Sequence, residues 1–140
     1  IDYNATIDAF KGLGIDNFEV LYSQANQSDL FNAIETGKIS PQHFINGLLN
    51  LLPKGITPNQ VVHAWNAMLL DIPTERIELL LDLSTKYKTF LLSNTNDLHI
   101  DKVKESMGME RFNRFKNCFE VFYLSQEMKM RKPNADIFEV

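Results

Sequence analysis

The sequence predicts an α/β fold in which an all-helical unit precedes part of a doubly wound parallel sheet. Over residues 1–71, helix start signals alternate with apolar residues at helical spacing. After Pro73 the pattern changes to helix, apolar run, polar loop, helix and a second apolar run, which is the order of elements in a doubly wound sheet. We therefore expect a helical unit over 1–71 and part of an α/β unit over 72–140.

Cap signals divide the first unit into short helices. An amphipathic stretch from Asn4 to Phe10 is followed by helices that Asp16 and Ser28 are expected to cap. Ser40 and Thr57 are each followed by a proline, which places an N-cap before a proline at the first helical position. The apolar residues behind these two signals are Phe44, Ile45, Leu48, Leu49 and Leu52, and then Val61, Val62, Trp65, Met68 and Leu69. Their spacing of three and four predicts buried helix faces and hence a small helical bundle.

The second unit is predicted to alternate helices, strands and loops. The expected elements are a helix over Thr74–Lys86, a strand over Thr89–Leu92, a loop over Ser93–Asn96, a helix from its cap Asp97 to Met107, a strand over Phe119–Tyr123, a loop over Ser125–Lys132 and a final helix that opens at Lys132-Pro133. The two apolar runs are short and bounded by polar residues, which is typical of strands buried on both faces of a parallel sheet. Both loops then follow the carboxyl ends of strands, where ligands bind in this architecture.

Composition argues against several classes of protein. Of the 140 residues, 44% are hydrophobic, which is enough apolar surface for a packed core. The net charge of −4 and the scattered cations argue against a nucleic-acid partner. No apolar run reaches the ~18 residues of a membrane helix, so we expect no membrane partner. Cys118 is the one cysteine, which fits a reducing, cytoplasmic setting. Nothing in the sequence indicates an oligomeric state.

Three residues are candidates for an anion-binding site at the predicted edge of the sheet. Ser93 offers a hydroxyl, and Asn94 a backbone N–H, just before the N-terminus of a helix, where the helix dipole favours an anion. Lys132 follows the second strand, and its ammonium is a compact charge that would reach the same anion. Pro133 restricts the backbone of Lys132 to extended conformations and so fixes the direction of its side chain.

Each candidate also has a simpler explanation. The loop Ser93–Asn96 would serve as an ordinary polar turn, and Lys132 would form a solvated basic cluster with Lys129 and Arg131. The expected position of both loops at one edge of the sheet favours the anion site. Trp65 is expected in the core. No helical metal pair is formed by the three widely spaced histidines, His43, His63 and His99, so no metal ligand is assigned.

Two strings of residues carry a resemblance to a known family. Residues 90–96, FLLSNTN, form an apolar run that ends in Ser, and residues 123–133, YLSQEMKMRKP, place a Lys before a predicted helix. In this order they resemble the second and third motifs of the haloacid dehalogenase-like (HAD) superfamily, which has a Rossmann-like core and often a helical cap. The longer string is most similar to the branch of bacterial glucose-1-phosphate phosphatases and the phosphatase domain of soluble epoxide hydrolases. Residues 35–40 and 63–65 resemble pieces of that branch's cap.

The resemblance implies a magnesium-dependent phosphatase that acts on a small phosphorylated metabolite, such as a sugar phosphate, through an aspartyl-phosphate intermediate. Ser93 and the backbone near Asn94 would bind the phosphoryl oxygens, and Lys132 would stabilise negative charge during catalysis. Residues 1–71 would be the mobile cap. The nucleophilic Asp is expected before Ile1, and the acidic fourth motif that holds Mg²⁺ with it is expected after Val140. We therefore expect residues 1–140 alone to be inactive.

Two other functions are compatible with the sequence. A 2-haloacid dehalogenase would use the same Ser, Asn and Lys positions without a metal. A helical interaction module without catalytic activity is the second alternative. The string over residues 123–133 favours the phosphatase, because it matches the phosphatase branch better.

Overall fold

A bundle of short helices forms the first half of the chain. The computed structural model describes residues 1–27 and 29–140, with the side chains of residues 1–23 and 29–140. The helices of the bundle are α1 (Tyr3–Gly12), α2 (Phe18–Gln27), α3 (Leu30–Glu35), α4 (Pro41–Leu49) and α5 (Pro58–Asn66). Each is too short to be stable alone in water, so tertiary packing of its apolar face must stabilise it.

The caps of α4 and α5 are the predicted ones. Ser40 Oγ accepts a hydrogen bond from the His43 N–H at 3.2 Å. Thr57 Oγ1 accepts from the Gln60 N–H at 3.3 Å, and the Gln60 side chain accepts from the Thr57 N–H at 2.9 Å. The second pair is a complete capping box, which satisfies two backbone donors at once.

The start of α2 differs from the prediction by one residue. Asn17 Oδ1, rather than Asp16, accepts from the Val20 N–H at 3.2 Å, because the helix begins at Phe18. The predicted cap Ser28 lies outside the described residues. Asp29 directly precedes α3 and has a left-handed backbone, with φ 60°.

Apolar side chains from all five helices pack into a first core. Its buried members are Phe10, Ile15, Leu21, Leu30, Phe31, Ile34, Phe44, Ile45, Leu48, Leu52, Val61, Ala64, Trp65 and Met68. The prediction that Trp65 belongs to the core is confirmed, since the residue is 8% exposed. Burial of these side chains supplies most of the stability of the bundle.

A parallel pair of strands organises the second half. Its elements are α6 (Thr74–Ser84), β1 (Phe90–Ser93), α7 (Asp97–Met107), α8 (Met109–Lys116), β2 (Val121–Leu124), α9 (Ser125–Met128) and a 3-10 turn (Ala135–Phe138). The two strands are aligned so that Phe90 pairs with Val121 and Ser93 with Leu124. The helices α7 and α8 form the crossover that a parallel pair requires.

Several details of this half differ from the prediction. Both strands begin later than expected, and β1 is half-buried rather than buried on both faces, with Phe90 53% exposed. The reason is that β1 and β2 pair only with each other among the described residues. The expected final helix is the short 3-10 turn, α9 lies inside the expected second loop, and α8 was not predicted.

A second core joins α6, α7 and α8 to the strands. Its buried members are Ile77, Met107, Phe112, Phe115 and Cys118. The two cores divide the buried residues close to the predicted boundary between 71 and 72, which stays a prediction. Within the part of the chain that the structure describes, no helix is both long and apolar enough to cross a membrane.

Candidate functional site

The carboxyl ends of β1 and β2 bring the two predicted polar loops together. Ser93 is paired with Leu124 at the last position of the ladder, so the loop after each strand leaves the sheet at the same edge. In open parallel sheets this edge is where ligands bind. The two loops are then connected by hydrogen bonds between their residues.

Asn94 and Lys132 form the first connection. The Asn94 side chain donates from Nδ2 to the Lys132 carbonyl at 2.9 Å, and its Oδ1 accepts from the Lys132 N–H at 2.8 Å. Both ends of the amide are therefore used on the main chain of Lys132. An anion at this site would meet the backbone of Asn94 rather than its side chain.

Lys132 and Ser93 are held close to the end of β1. The Lys132 ammonium donates to the Leu92 carbonyl at 2.8 Å, which uses one of its three N–H groups and leaves two for another acceptor. Ser93 Oγ donates to the Asn94 carbonyl at 3.4 Å, a long and weak hydrogen bond. Both side chains are half-buried; Lys132 keeps two donors for an anion, whereas the Ser93 hydroxyl would give up its weak bond to Asn94 to donate to one.

Ser125 makes a second connection that was not predicted from the sequence. Its hydroxyl is fully buried, accepts from the Thr95 N–H at 2.9 Å and donates to the Thr95 carbonyl at 3.1 Å. This single hydroxyl thus ties the loop after β1 to the first residue after β2. The sequence signal was a polar residue, Ser125, at the end of an apolar run. An ordinary helix start gives the same signal, so it did not indicate this role.

The helix that follows the first loop is capped by Asn96. Asn96 Oδ1 accepts from the His99 N–H at 3.1 Å, and Asn96 is 1% exposed. The prediction of Asp97 as the cap is wrong: Asp97 is the first residue of α7, and its carboxylate accepts from Gln126 Nε2 at 3.3 Å. An acidic residue in the first turn is favourable to the helix dipole, which explains its position.

The three cations of the second loop do not form a solvated cluster. Lys129 Nζ donates to the Gly37 carbonyl at 3.0 Å, Arg131 pairs with Glu35, and Lys132 bonds to Leu92. Two of the three therefore contact the helical bundle, whereas Lys132 alone contacts the strand end. The simpler explanation of this basic run is wrong, because each cation has a separate partner.

Glu35 and Arg131 form a half-buried ion pair between the two halves. Arg131 Nε lies 2.9 Å from Glu35 Oε2, although the N–H does not point at the oxygen. Burial raises the pKa of Glu35, and the Arg131 guanidinium opposes that rise. Sequence offered no signal for this pair, since each residue belongs to a different half.

A stack of rings also connects the bundle to the helix behind the first loop. Tyr22, Phe31, Trp65 and His99 stack in that order, with centroid separations of 4.8, 5.4 and 5.3 Å. Burial lowers the pKa of His99 to about 4, so its imidazole is neutral near pH 7. His99 therefore serves here as a packing residue at the junction of α5 and α7.

Acidic and imidazole groups do not gather into a metal site among the described residues. No three His, Cys, Asp or Glu side chains come together in the way that would hold a metal ion. The groups that the sequence predicts to bind an anion here are the Ser93 hydroxyl, the Asn94 backbone N–H and the Lys132 ammonium, and the structure places them at one edge of the sheet.

Comparison with known proteins gives relatives along almost the whole chain. No family model matches it. The D-ribitol-5-phosphate phosphatase of Bacteroides thetaiotaomicron is 24% identical over 139 residues, which is 99% of this chain and 68% of that protein. The chain therefore spans about two thirds of the length of this curated relative.

Solved structures match more closely. A HAD family enzyme from B. thetaiotaomicron has a TM-score of 0.88 and 38% identity over 99% of this chain and 68% of its own. Its complex with magnesium and inorganic phosphate gives 0.85 and 37%, with coverage of 99% and 69%. A predicted HAD-like family hydrolase of Porphyromonas gingivalis gives 0.77 and 30%, with coverage of 99% and 66%.

Proposed function

Because the chain belongs to the HAD family of enzymes, we propose that the protein is a magnesium-dependent phosphatase that acts on a small phosphorylated metabolite. The resemblance and the fold class predicted from the sequence, a helical cap with a parallel α/β core, are confirmed by these relatives. The proposal includes the aspartyl-phosphate intermediate implied by the resemblance. We assign no acidic residue of the described chain as its nucleophile.

The main support for the proposal is the double hydrogen bond between Asn94 and Lys132. It holds the loop after β1 against the segment after β2 and fixes the main chain that carries the ammonium. An ammonium whose main chain is fixed in this way is a preorganised donor, and such donors stabilise charge without reorganising during the reaction. The two loops together would supply the anion-binding donors that a transferring phosphoryl group needs at this edge of the sheet.

We assign a different role to each residue of the site. The Ser93 hydroxyl and the backbone N–H of Asn94 bind oxygens of the phosphoryl group, because they lie at a strand end next to the N-terminus of α7. Lys132 neutralises charge that develops on the phosphoryl oxygens, using the N–H groups that Leu92 leaves free. Ser125 holds the first loop in place through Thr95 and does not contact the substrate.

The magnesium ion needs ligands beyond those that the structure describes. A related HAD enzyme was solved with magnesium and inorganic phosphate, both as the wild type and as an aspartate-to-alanine variant. The prediction of magnesium as the cofactor is confirmed for the family by these complexes. The described residues do not fit the ion by themselves, since they hold no cluster of three acidic or imidazole groups. Residues 1–140 alone are therefore expected to release no phosphate.

We also propose that the helical bundle of residues 1–71 is the cap that covers the substrate. Its turn after α3 and its helix α5 lie against the segments that follow β1 and β2. A phosphorylated sugar or polyol is the preferred substrate class, because one relative is a D-ribitol-5-phosphate phosphatase. The cap would exclude water and select the leaving group.

A phosphate-release assay tests the proposal. The protein from its complete coding sequence should hydrolyse at least one sugar or polyol phosphate in a panel of esters, with Mg²⁺ and not with excess chelator. A Lys54→Ala variant, altered at an exposed lysine of the bundle, should match the wild type and control for handling. Absence of turnover for every ester would overturn the proposal, and metal-independent release of halide from a 2-haloacid would replace it with a dehalogenase.

A further inference from the structure

We infer that Glu35 and Arg131 are positioning residues for Lys132. Their ion pair fixes the segment before Lys132 against the turn that follows α3, and thereby sets where the Lys132 ammonium lies relative to Ser93. The inference rests on the proposed function, in which Lys132 acts on the phosphoryl group.

The pair is unusually enclosed for this protein. The side chains of Glu35 and Arg131 are 23% and 31% exposed. Every other ion pair among the described residues has a side chain that is at least half exposed. Water and salt screen an enclosed pair less, so it constrains its residues more than a surface pair does.

Each partner depends on the other. Within the described residues, neither Glu35 Oε2 nor Arg131 Nε has a hydrogen-bond partner, and both atoms are buried. Removal of either charge leaves the other desolvated without compensation, which is strongly unfavourable. The segment would then shift so that the remaining charge reaches water.

A second contact holds the same turn at its other end. Lys129 donates to the Gly37 carbonyl, and the backbone of Gly37 lies so close to Gln126 that a Cβ there would be 2.4 Å from the Gln126 carbonyl oxygen. The turn from Glu35 to Gly37 thus contacts the segment that ends at Lys132 directly. The ion pair and the contact at Gly37 together fix the position of that segment relative to the bundle.

Arg131 directly precedes Lys132, so the ion pair that holds Arg131 also limits where the Lys132 main chain can lie. Asn94 fixes the main chain of Lys132 from the strand side, and Glu35 fixes the preceding residue from the bundle side. Without the second anchor, the Lys132 backbone would pivot about its bonds to Asn94. Because Nζ lies at the end of a long side chain, a small pivot of the backbone would displace it from the Leu92 carbonyl to which it donates.

A kinetic comparison in the full-length protein tests the inference. Glu35→Gln keeps the size of the side chain and removes its charge. We expect kcat to fall by about tenfold, since displacement of a catalytic group by a fraction of an ångström has effects of this order. KM should change little, because Lys132 is proposed to act on charge that develops in the transition state. Asp82→Asn, which breaks an exposed pair with Lys86, should leave both constants within about twofold.

A double variant tests whether the two residues act together. Arg131→Gln should also lower kcat, and Glu35→Gln combined with Arg131→Gln should be no slower than the slower single variant, because one pair is lost in all three. Losses that multiply in the double variant would overturn the inference. Restoration of kcat by Glu35→Asp, which keeps the charge, would support it.

Amide hydrogen exchange separates this inference from the proposed function. The Lys132 N–H donates to Asn94, so its exchange should be faster in Glu35→Gln than in the wild type and in Asp82→Asn. If the wild type hydrolyses no ester, the proposed function fails, and the exchange rate still decides whether Glu35 holds Lys132. Unchanged exchange, or faster exchange with unchanged kcat, would overturn the positioning role.

Discussion

Asn94 and Lys132 are 38 positions apart in sequence, and the side chain of the first is hydrogen-bonded to both polar groups of the second's main chain. One amide thereby joins the ends of two parallel strands. The geometry resembles a backbone pairing that continues the sheet beyond Ser93. The Lys132 side chain makes a separate hydrogen bond, from its ammonium to the Leu92 carbonyl in β1.

The first prediction concerns that side chain. Lys132→Ala should lower kcat by about 10²–10³-fold in the full-length enzyme, the range found when one charge-stabilising donor is removed. The free energy of unfolding should fall by only about 1 kcal/mol, because the hydrogen bond to Leu92 is the main native interaction that the substitution removes. Steady-state kinetics and urea unfolding measure the two effects. Comparable losses of activity and stability would show that Lys132 is structural.

The second prediction concerns Asn94. Asn94→Leu has a similar size but removes both hydrogen bonds to Lys132, leaving a half-buried N–H and carbonyl without partners. We expect a loss of about 1–3 kcal/mol in the free energy of unfolding. Asn94→Asp keeps an acceptor for the Lys132 N–H but cannot donate to its carbonyl, so its loss should come from one bond only. Urea unfolding of both variants measures the difference, and equal stability of all three proteins would contradict this role.

The sequence predicted that the two candidate loops meet at one edge of the sheet, but not the hydrogen bonds that join them. Ser93 and Lys132 were identifiable because each follows an apolar run, and parallel strands place their carboxyl ends at one edge. The bond from Asn94 to Lys132 was not identifiable, because it depends on the register that pairs Ser93 with Leu124. Its donor and acceptor on Lys132 belong to the main chain, which carries no sequence signal.

Local competition explains the errors in the secondary structure. Asn96 and Asp97 are both good N-cap residues, and the burial of Asn96 decides between them. The helix α8 was missed because its apolar face consists of two phenylalanines among charged residues, Phe112 and Phe115. The partners of Lys129 and Arg131 lie in the helical bundle, and no local pattern indicates which residues of the bundle reach the second loop.

The third prediction concerns the buried hydroxyl of Ser125. Ser125→Ala removes the group that bonds to both the N–H and the carbonyl of Thr95, and these stay buried. The free energy of unfolding should fall by about 1–3 kcal/mol, the cost of unsatisfied buried polar groups. Ser84→Ala is a matched control, because that hydroxyl bonds only to Leu81 within α6 and should matter by less than about 0.5 kcal/mol. Equal effects in urea unfolding would contradict the tie between the two loops.

The fourth prediction concerns pH and His99. Burial lowers the pKa of His99 from 6.5 to about 4 in the folded protein, and the nearby backbone of Trp65 only partly opposes that fall. Between about pH 4 and pH 6.5, the unfolded chain binds the His99 proton more strongly than the folded protein does. The contribution to stability is therefore complete above pH 6.5 and is lost as the pH falls towards 4, by at most about 3 kcal/mol.

His99→Phe isolates this contribution. The variant keeps a ring for stacking on Trp65 but has no group that titrates. Unfolding free energies at about pH 7 and about pH 5 should differ less in the variant than in the wild type, and other titrating groups cancel in the comparison. An identical pH dependence in the two proteins would show that His99 is accessible to protons in the folded state.

The last prediction concerns the close approach between Gly37 of the bundle and Gln126 of the second loop. Gly37 and Gly55 both have a positive φ, of 59° and 100°, so alanine at either position is strained by about 1–3 kcal/mol. At Gly55 nothing lies within 4 Å of an added Cβ, whereas at Gly37 the Cβ would meet the Gln126 carbonyl oxygen at 2.4 Å. That oxygen is part of the backbone and cannot rotate away.

Gly37→Ala must therefore lift the turn away from α9 in addition to straining it. We expect it to lower the free energy of unfolding by about 1–3 kcal/mol more than Gly55→Ala, the usual cost of overpacking at a fixed contact. It should also separate Glu35 from Arg131 and so lower kcat, while Gly55→Ala should leave kcat unchanged. Urea unfolding and steady-state kinetics of the two variants measure these differences. Equal stability and equal kcat in the two variants would mean that the close approach at Gly37 does not hold the bundle on this segment.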